Sequence, residues 1–213
     1  MTDKCLVIVG CGDLGVLVAK NAVLAGYEVI GFYDDINIER IPVAGYPILG
    51  TTDSIMTDFE KGLFSELFIA IGYSHMAVRH EFYQRYKGKI PMATIIHPSV
   101  VRGIETVVGE NCLLLPGVVI DNGSIIGDNV VLNTGVVIAH DTKIMSSTFI
   151  GPGATLAGFI SIGERCFIGI GSVIKDNISV VSDTVVGAGA VVVRDIQQQG
   201  TYIGVPAKIL VKD

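Results

Sequence analysis

The sequence is poor in the features that mark metal clusters, nucleic-acid binders and membrane spans. Four cysteines, Cys5, Cys11, Cys112 and Cys166, are scattered through 213 residues with no C-x-x-C pair and no metal-type spacing. That excludes a thiolate zinc site or a dithiol redox motif, and leaves the cysteines as buried free thiols. No run of Lys or Arg stands out against the formal net charge of -6, so there is no electrostatic footprint for nucleic acid or for a polybasic membrane contact. The apolar stretch "CLVIVG" near the start is too short to span a bilayer and lacks a signal-peptide layout. The expectation is a cytoplasmic protein that does not insert into membranes. Half of the residues are apolar, which is enough to bury a core.

The second half has few ionisable side chains and a strict period. From Val107 the chain divides without insertion into hexads: VVGENC, LLLPGV, VIDNGS, IIGDNV, VLNTGV, VIAHDT and on to VVVRDI. The second residue of every hexad is Val, Leu or Ile, the third is often Gly, and the sixth is small or aliphatic. A helix cannot hold a six-residue period, because its apolar stripe recurs every ~3.6 residues. A short strand followed by a corner, repeated, can. One aliphatic side chain per hexad then points inward and stacks on its equivalents in neighbouring coils, giving a parallel β-helix.

The first half reads differently. "KCLVIVGCGDLGVLVAKNAVLAGYEVIGFYDD" is strand, glycine turn, helix, strand. Gly10, Gly12 and Gly15 form G-x-G-x-x-G directly after the first strand, and Asp34 and Asp35 close the second strand about twenty residues later, the interval of a dinucleotide fingerprint. Further strands are expected at "LFIAIG", ending at Gly72, and at "MATIIHP", with a helix over "SHMAVRHEFYQRY" between them. That is one mononucleotide-sized unit, whereas a dinucleotide site is built across two. An NAD oxidoreductase is therefore disfavoured. A single nucleotide or nucleotide-sugar is expected near Gly10, Gly12, Asp34, Asp35 and the loop after Gly72, with the base left open among uridine, thymidine and guanosine.

Of the four histidines, only His140 lies inside the repeat, in "VIAHDT", followed by Asp141. His75, His80 and His97 read as structural. A lone imidazole in the repeat rules out a three-histidine zinc site there, so no metal is expected. An imidazole can act as a base near neutral pH, and an adjacent carboxylate can orient it.

Several stretches carry a resemblance. The hexads and the tail "GVPAKIL" resemble the hexapeptide-repeat acyltransferases. Together with the Rossmann-like first half, "FIAIG", "IIHPSV" and the "LNT" ahead of the His-Asp pair, nearly the entire chain looks like the NeuD/PglD/PerB type of bacterial sugar acyltransferase. The resemblance implies an α/β Rossmann-like nucleotide-sugar domain over 1–94, an all-β left-handed parallel β-helix over 95–196 and a capping tail over 197–213. It implies transfer of acetyl from acetyl-CoA to the amino group of a nucleotide-linked amino-deoxy sugar, of the 4-amino-4,6-dideoxy kind, for bacterial surface polysaccharide or glycan synthesis. His140 would be the general base and Asp141 its orienting acid, where the family often has Glu. Asn133 would touch the substrate amine. Gly158 would offer a backbone N–H to the oxyanion, and Gly158, Ile170 and Ala188 would line the coenzyme groove between subunits of a homotrimer. Phe149 departs from the imidazole the family sometimes has at its position. O-acetylation of sialic acid or a similar sugar, and a non-catalytic nucleotide-binding solenoid, remain as alternatives.

Overall fold

In the computed structural model, residues 4–37 and 39–211 are described. The chain divides into two compact units, Met1–Pro98 and Ser99–Asp213.

The first unit is a parallel sheet with helices on both faces. Its elements are β1 (Cys5–Val9), α1 (Asp13–Leu24), β2 (Glu28–Tyr33), β3 (Ile48–Gly50), α2 (Ile55–Glu60), β4 (Glu66–Ile69) and α3 (Met76–Tyr86). The strand order is β3-β2-β1-β4, and every pairing is parallel. Leu6, Val7, Ile8 and Val9 are all buried, as a strand covered on both faces requires. Val7, Val9, Leu67 and Ile69 pack with Ile55 of α2 and with Tyr83 and Tyr86 of α3. Gly15 of α1 instead faces Phe32, which alternates with Tyr33 of that cluster. β3 and α2 were not expected from the sequence. β3 has only three residues, follows Pro47, and joins β2 through a register shift between Phe32 and Tyr33.

The second unit is a left-handed parallel β-helix of two-residue strands. Val119 pairs with Val137 and Val137 with Thr155, so one coil is eighteen residues. The strands form three rows. One row contains 107–108, 125–126, 143–144, 161–162 and 179–180; the next runs from 113–114 to 185–186; the third from 101–102 to 191–192. The second residue of each hexad is buried throughout, apart from the half-buried Val108 at the start. The sixth residue is buried in every hexad as well. At three polar sixth positions the hydroxyl hydrogen goes to a carbonyl fifteen residues on, whereas Ser172 Oγ donates back to Gly169 O at 2.8 Å. Ser124 Oγ donates to Ala139 O, Thr142 Oγ1 to Ala157 O and Thr148 Oγ1 to Gly163 O, at 2.9–3.0 Å. Cys112 and Cys166 occupy the same position and donate to Gly127 O and Val181 O. Burial pushes the Cys166 thiol up to about 11. Cys5 and Cys11 are partly exposed, against the sequence expectation. Cys5 begins β1, and Cys11 sits in the glycine turn after it.

The fifth residue of each hexad turns the corner in the left-handed region. From Glu105 to Gly189 every sixth residue has φ between 53° and 74°. The corner after the 113–114 row is closed by an i→i+3 bond, as in Val136 N to Asn133 O at 3.2 Å and Ala154 N to Gly151 O at 3.3 Å. Positive φ at the third residue of such a turn makes it type II, which demands Gly, and Gly117, Gly135, Gly153, Gly171 and Gly189 supply it. The other two corners lack that bond and accept Asn, Asp, Ser and larger residues.

The tail continues the structure by pairing. Thr201–Ile203 adds in parallel to Val185–Val186, and Lys208–Ile209 returns antiparallel to it.

The inward and outward positions differ sharply in expected stability. Ile144 is fully buried and its neighbour Lys143 is exposed. Ile144→Ala should cost about 2–5 kcal/mol by loss of apolar contact and cavity formation. Lys143→Ala should change stability by no more than about 0.5 kcal/mol. Denaturant unfolding of the two variants measures the difference.

Candidate active site

Two places concentrate the expected functional residues, one in each unit.

In the first unit a cavity of about 370 Å³ is lined by Gly10, Gly12, Asp34, Asp35, Thr52 and Gly72, among others. It lies beyond the carboxyl ends of β1, β2 and β4, where the strand order reverses and open parallel sheets bind ligands. The three glycines have separate duties. Gly10 has φ +95, a conformation that L side chains rarely adopt. A Cβ on Gly15 would collide with the Gly10 carbonyl oxygen, so helix and turn can approach only without it. A Cβ on Gly12 would meet nothing within 4 Å. Gly12 therefore leaves room for something outside the chain, at the N-terminus of α1, where backbone N–H groups point outward.

The acidic pair is already engaged. Asp34 accepts the Cys11 N–H at 2.9 Å and the Ile36 and Asn37 N–H groups at 2.8 Å. Burial works to raise its pKa, but these backbone donors outweigh it and hold the carboxyl below the usual range. Asp35 takes the Thr52 N–H at 2.7 Å and the Thr52 hydroxyl at 2.9 Å. An ionised carboxylate has about four lone-pair sites, so both keep capacity for a ligand. Among the described residues neither Lys nor Arg lines the cavity, and its walls include Ile36, Ile71, Val78 and Phe82. His75 also lines it. His75 reads as structural in the sequence, because residue type alone does not report which way a side chain is carried.

In the β-helix, His140 and Asp141 stand at the corner after Val137–Ile138. Asp141 Oδ2 lies 3.0 Å from His140 Nδ1. The shorter acid thus reaches the imidazole directly and can fix Nδ1 as the protonated nitrogen, leaving Nε2 as acceptor. Two glycines, one coil to either side, clear the space. A Cβ on Gly123 would sit 2.8 Å from Asp141 Oδ1, and one on Gly158 would sit 2.7–2.8 Å from His140 Cε1 and Nε2. Gly158 is buried, and its N–H makes no hydrogen bond among the described residues. An orphaned N–H in a buried residue is rare. The imidazole fills the space that a Cβ on the same residue would take. Gly123 was missed in the sequence, although subtracting one coil from Asp141 finds it.

The remaining candidates sit elsewhere. Asn133, Ile170 and Ala188 belong to the glycine corner after the 113–114 row, one face away from His140 within the chain. Asn133 Oδ1 accepts the Thr134 N–H at 2.8 Å, and Ile170 and Ala188 are exposed. The face between the two corners carries an exposed ladder of Val101, Val119, Val137 and Val173. Phe149 is buried and stacks on Phe167 at 5.7 Å between ring centroids. Among the described residues no cluster could hold a metal ion.

Residues 5–86 match the PglD N-terminal domain, and residues 105–140, 123–158 and 141–176 match the bacterial transferase hexapeptide repeats. A variant of perosamine N-acetyltransferase from Caulobacter crescentus, with one histidine replaced by asparagine and with CoA and GDP-perosamine bound, superposes with a TM-score of 0.90. It is 33% identical over 97% of both chains. The chain belongs to the PglD/PerB family of sugar N-acetyltransferases. The acetyltransferase domain of PglB from Neisseria gonorrhoeae, in complex with acetyl coenzyme A, is also similar, at 30% identity over 97% of this chain and 99% of that one, with a TM-score of 0.89. WeeI from Acinetobacter baumannii is 25% identical over 97% of this chain and 100% of that one, with a TM-score of 0.81. No curated protein sequence matches. No helix among the described residues of this PglD/PerB-type chain is long and apolar enough to cross a membrane.

Asp34 makes the sign of one pH effect definite. Its carboxyl is held below the usual range in the folded state, so its contribution to stability is complete above the unfolded-state pKa and is lost as pH falls through the folded one. Asp34→Asn should lower stability at neutral pH and flatten the loss on acidification, measured by denaturant unfolding between neutral and acid pH.

Proposed function

We propose that this chain transfers acetyl from acetyl-CoA to the amino group of a nucleotide-linked amino-deoxy sugar, with His140 as general base. It is an acetyl-CoA-dependent sugar N-acetyltransferase, and the reading of its residues goes further. The observation that carries that reading is the imidazole of His140, tethered at Nδ1 by Asp141 and packed into the space that a side chain on Gly158 would fill.

The chemistry follows from the placement. The neutral amine attacks the thioester carbonyl carbon. Its extra proton passes to His140 Nε2 and the carbonyl oxygen gains negative charge; as the tetrahedral intermediate collapses, the carbon–sulfur bond breaks and the imidazolium returns the proton to the departing sulfur, leaving CoA as its thiol. Asp141 stabilises the imidazolium that forms. The Gly158 N–H is a fixed donor for the developing oxyanion, and such donors are worth more in a site closed to water. Asn133 contacts the amino sugar.

The first unit holds the nucleotide. Carboxylates without a nearby cation suit hydroxyl and base N–H donors, so Asp34 and Asp35 take the nucleoside end and the N-terminus of α1 faces the phosphates. The perosamine enzyme binds GDP-perosamine, which makes a GDP-linked amino sugar the first substrate to assay, beside the UDP and dTDP counterparts. The enzyme works as a homotrimer. The exposed valine ladder needs a cover, and a closed ring brings the Ile170–Ala188 corner of one protomer toward the His140–Gly158 corner of the next. That builds the coenzyme groove from two chains. The tail from residue 197 caps the solenoid.

His140→Ala should lower kcat about 10²–10⁴-fold, the usual worth of general-base catalysis, with a trimeric mass in sedimentation and acetyl-CoA still bound. The wild-type rate should fall on acidification, and that limb should be absent from the variant. A near-normal kcat in a folded His140→Ala protein would remove the base from the mechanism. Gly12→Val should fold, because the Cβ space is open, and should raise KM for the nucleotide-sugar while leaving KM for acetyl-CoA unchanged. The opposite pattern would reverse the two sites.

A further inference from the structure

We infer that Phe159 is a positioning residue for His140, holding the imidazole in the orientation that points Nε2 at the substrate. This rests on the reading of His140 as the base.

Three observations meet at this residue. The first is conformation. Phe159 occupies a left-handed corner at φ 58°. The same corner position in the other coils carries Glu105, Gly123, Asp141 and Asn177. Among the fifteen such positions from 105 to 189 no other is aromatic. A bulky side chain is a poor choice for the left-handed region, where Gly, Asn and Asp are at ease. The second observation is exposure. Phe159 is 56% exposed, so burial in the core does not account for an apolar ring there. The third is contact. The Phe159 and His140 rings meet edge-to-face, with centroids 4.9 Å apart and planes at 86°. The Phe159 backbone N–H also donates to the His140 carbonyl at 3.1 Å, which locks the two corners in register.

A half-exposed imidazole needs such a contact. The His140 side chain is 48% exposed, and its one hydrogen bond among the described residues is to the equally open Asp141. Asp141 fixes one point of the ring, and Gly158 gives it a floor. Rotation about the axis through that point would still carry Nε2 toward solvent. The Phe159 ring blocks that swing. Residues in unfavourable backbone regions gather where function over-determines them, and here the strained residue lies one coil from the base and touches it.

The test is Phe159→Asn, read in two backgrounds. Asn suits the left-handed corner, so the variant should be as stable as the parent or more so, by denaturant unfolding. A purely structural role for the phenyl ring predicts the reverse. In the wild-type background kcat should fall about ten-fold, with both KM values unchanged and the acid limb of the pH–rate profile retained. Phe159→Tyr, which keeps the ring, should retain kcat. In the His140→Ala background Phe159→Asn should have no further effect, since a residue that acts through another is silent once its partner is gone. An unchanged kcat in Phe159→Asn would overturn the inference. So would an equal loss in both backgrounds, which would make Phe159 a direct substrate contact. Failure of the base itself is seen separately, as a near-normal kcat in His140→Ala alone.

Discussion

The whole second unit depends on one backbone constraint, the left-handed residue at every sixth position. Each such residue turns the chain by one corner. Three corners return it to a point one coil further on, and the eighteen-residue repeat fixes which side chains share an edge. Gly123, Asp141 and Phe159 are the fifth residues of hexads on one corner, and His140 and Gly158 are the fourth. Their meeting is therefore a matter of arithmetic along the chain. Insertion of one residue anywhere between 141 and 158 would separate the imidazole from the glycine beside it.

Much of this was legible before any coordinates. The period of six named the β-helix and its inward second residue; that the sixth residue is buried as well is seen only in the structure. The fingerprint glycines located the turn after β1, and His140 with Asp141 stood out as rare ionisable groups in an aliphatic region. The illegible parts have physical reasons. β3 is three residues beside a register shift, too short for a pattern. The contributions of Gly123 and Phe159 come from neighbours one coil away, which a reading along single hexads does not connect. The two partly exposed cysteines were misjudged because Cys11 belongs to a turn that faces a cavity, and residue type alone does not report which side of a turn is open.

The two units use glycine for different ends. In the first unit three glycines serve three ends: a positive φ at Gly10, tight packing at Gly15 and open space at Gly12. In the β-helix the glycines of one corner satisfy a type II turn, while Gly158 on another is free of that demand, since the corner lacks the i→i+3 bond. Its missing Cβ is explained by the histidine ring that occupies the space. A glycine's role is thus read from what its absent side chain would strike.

The row of strands that carries Val137 has a thermodynamic consequence. Val101 and Val119 precede it in the stack, and Thr155, Val173 and Val191 follow. A solenoid loses structure from its ends, one nearest-neighbour interface at a time. Fraying that begins at either end of the solenoid must undo at least two coils before it reaches the His140 corner. Amide hydrogens around His140 thus exchange only through the larger, costlier openings, and the outer coils act as a buffer against end fluctuations.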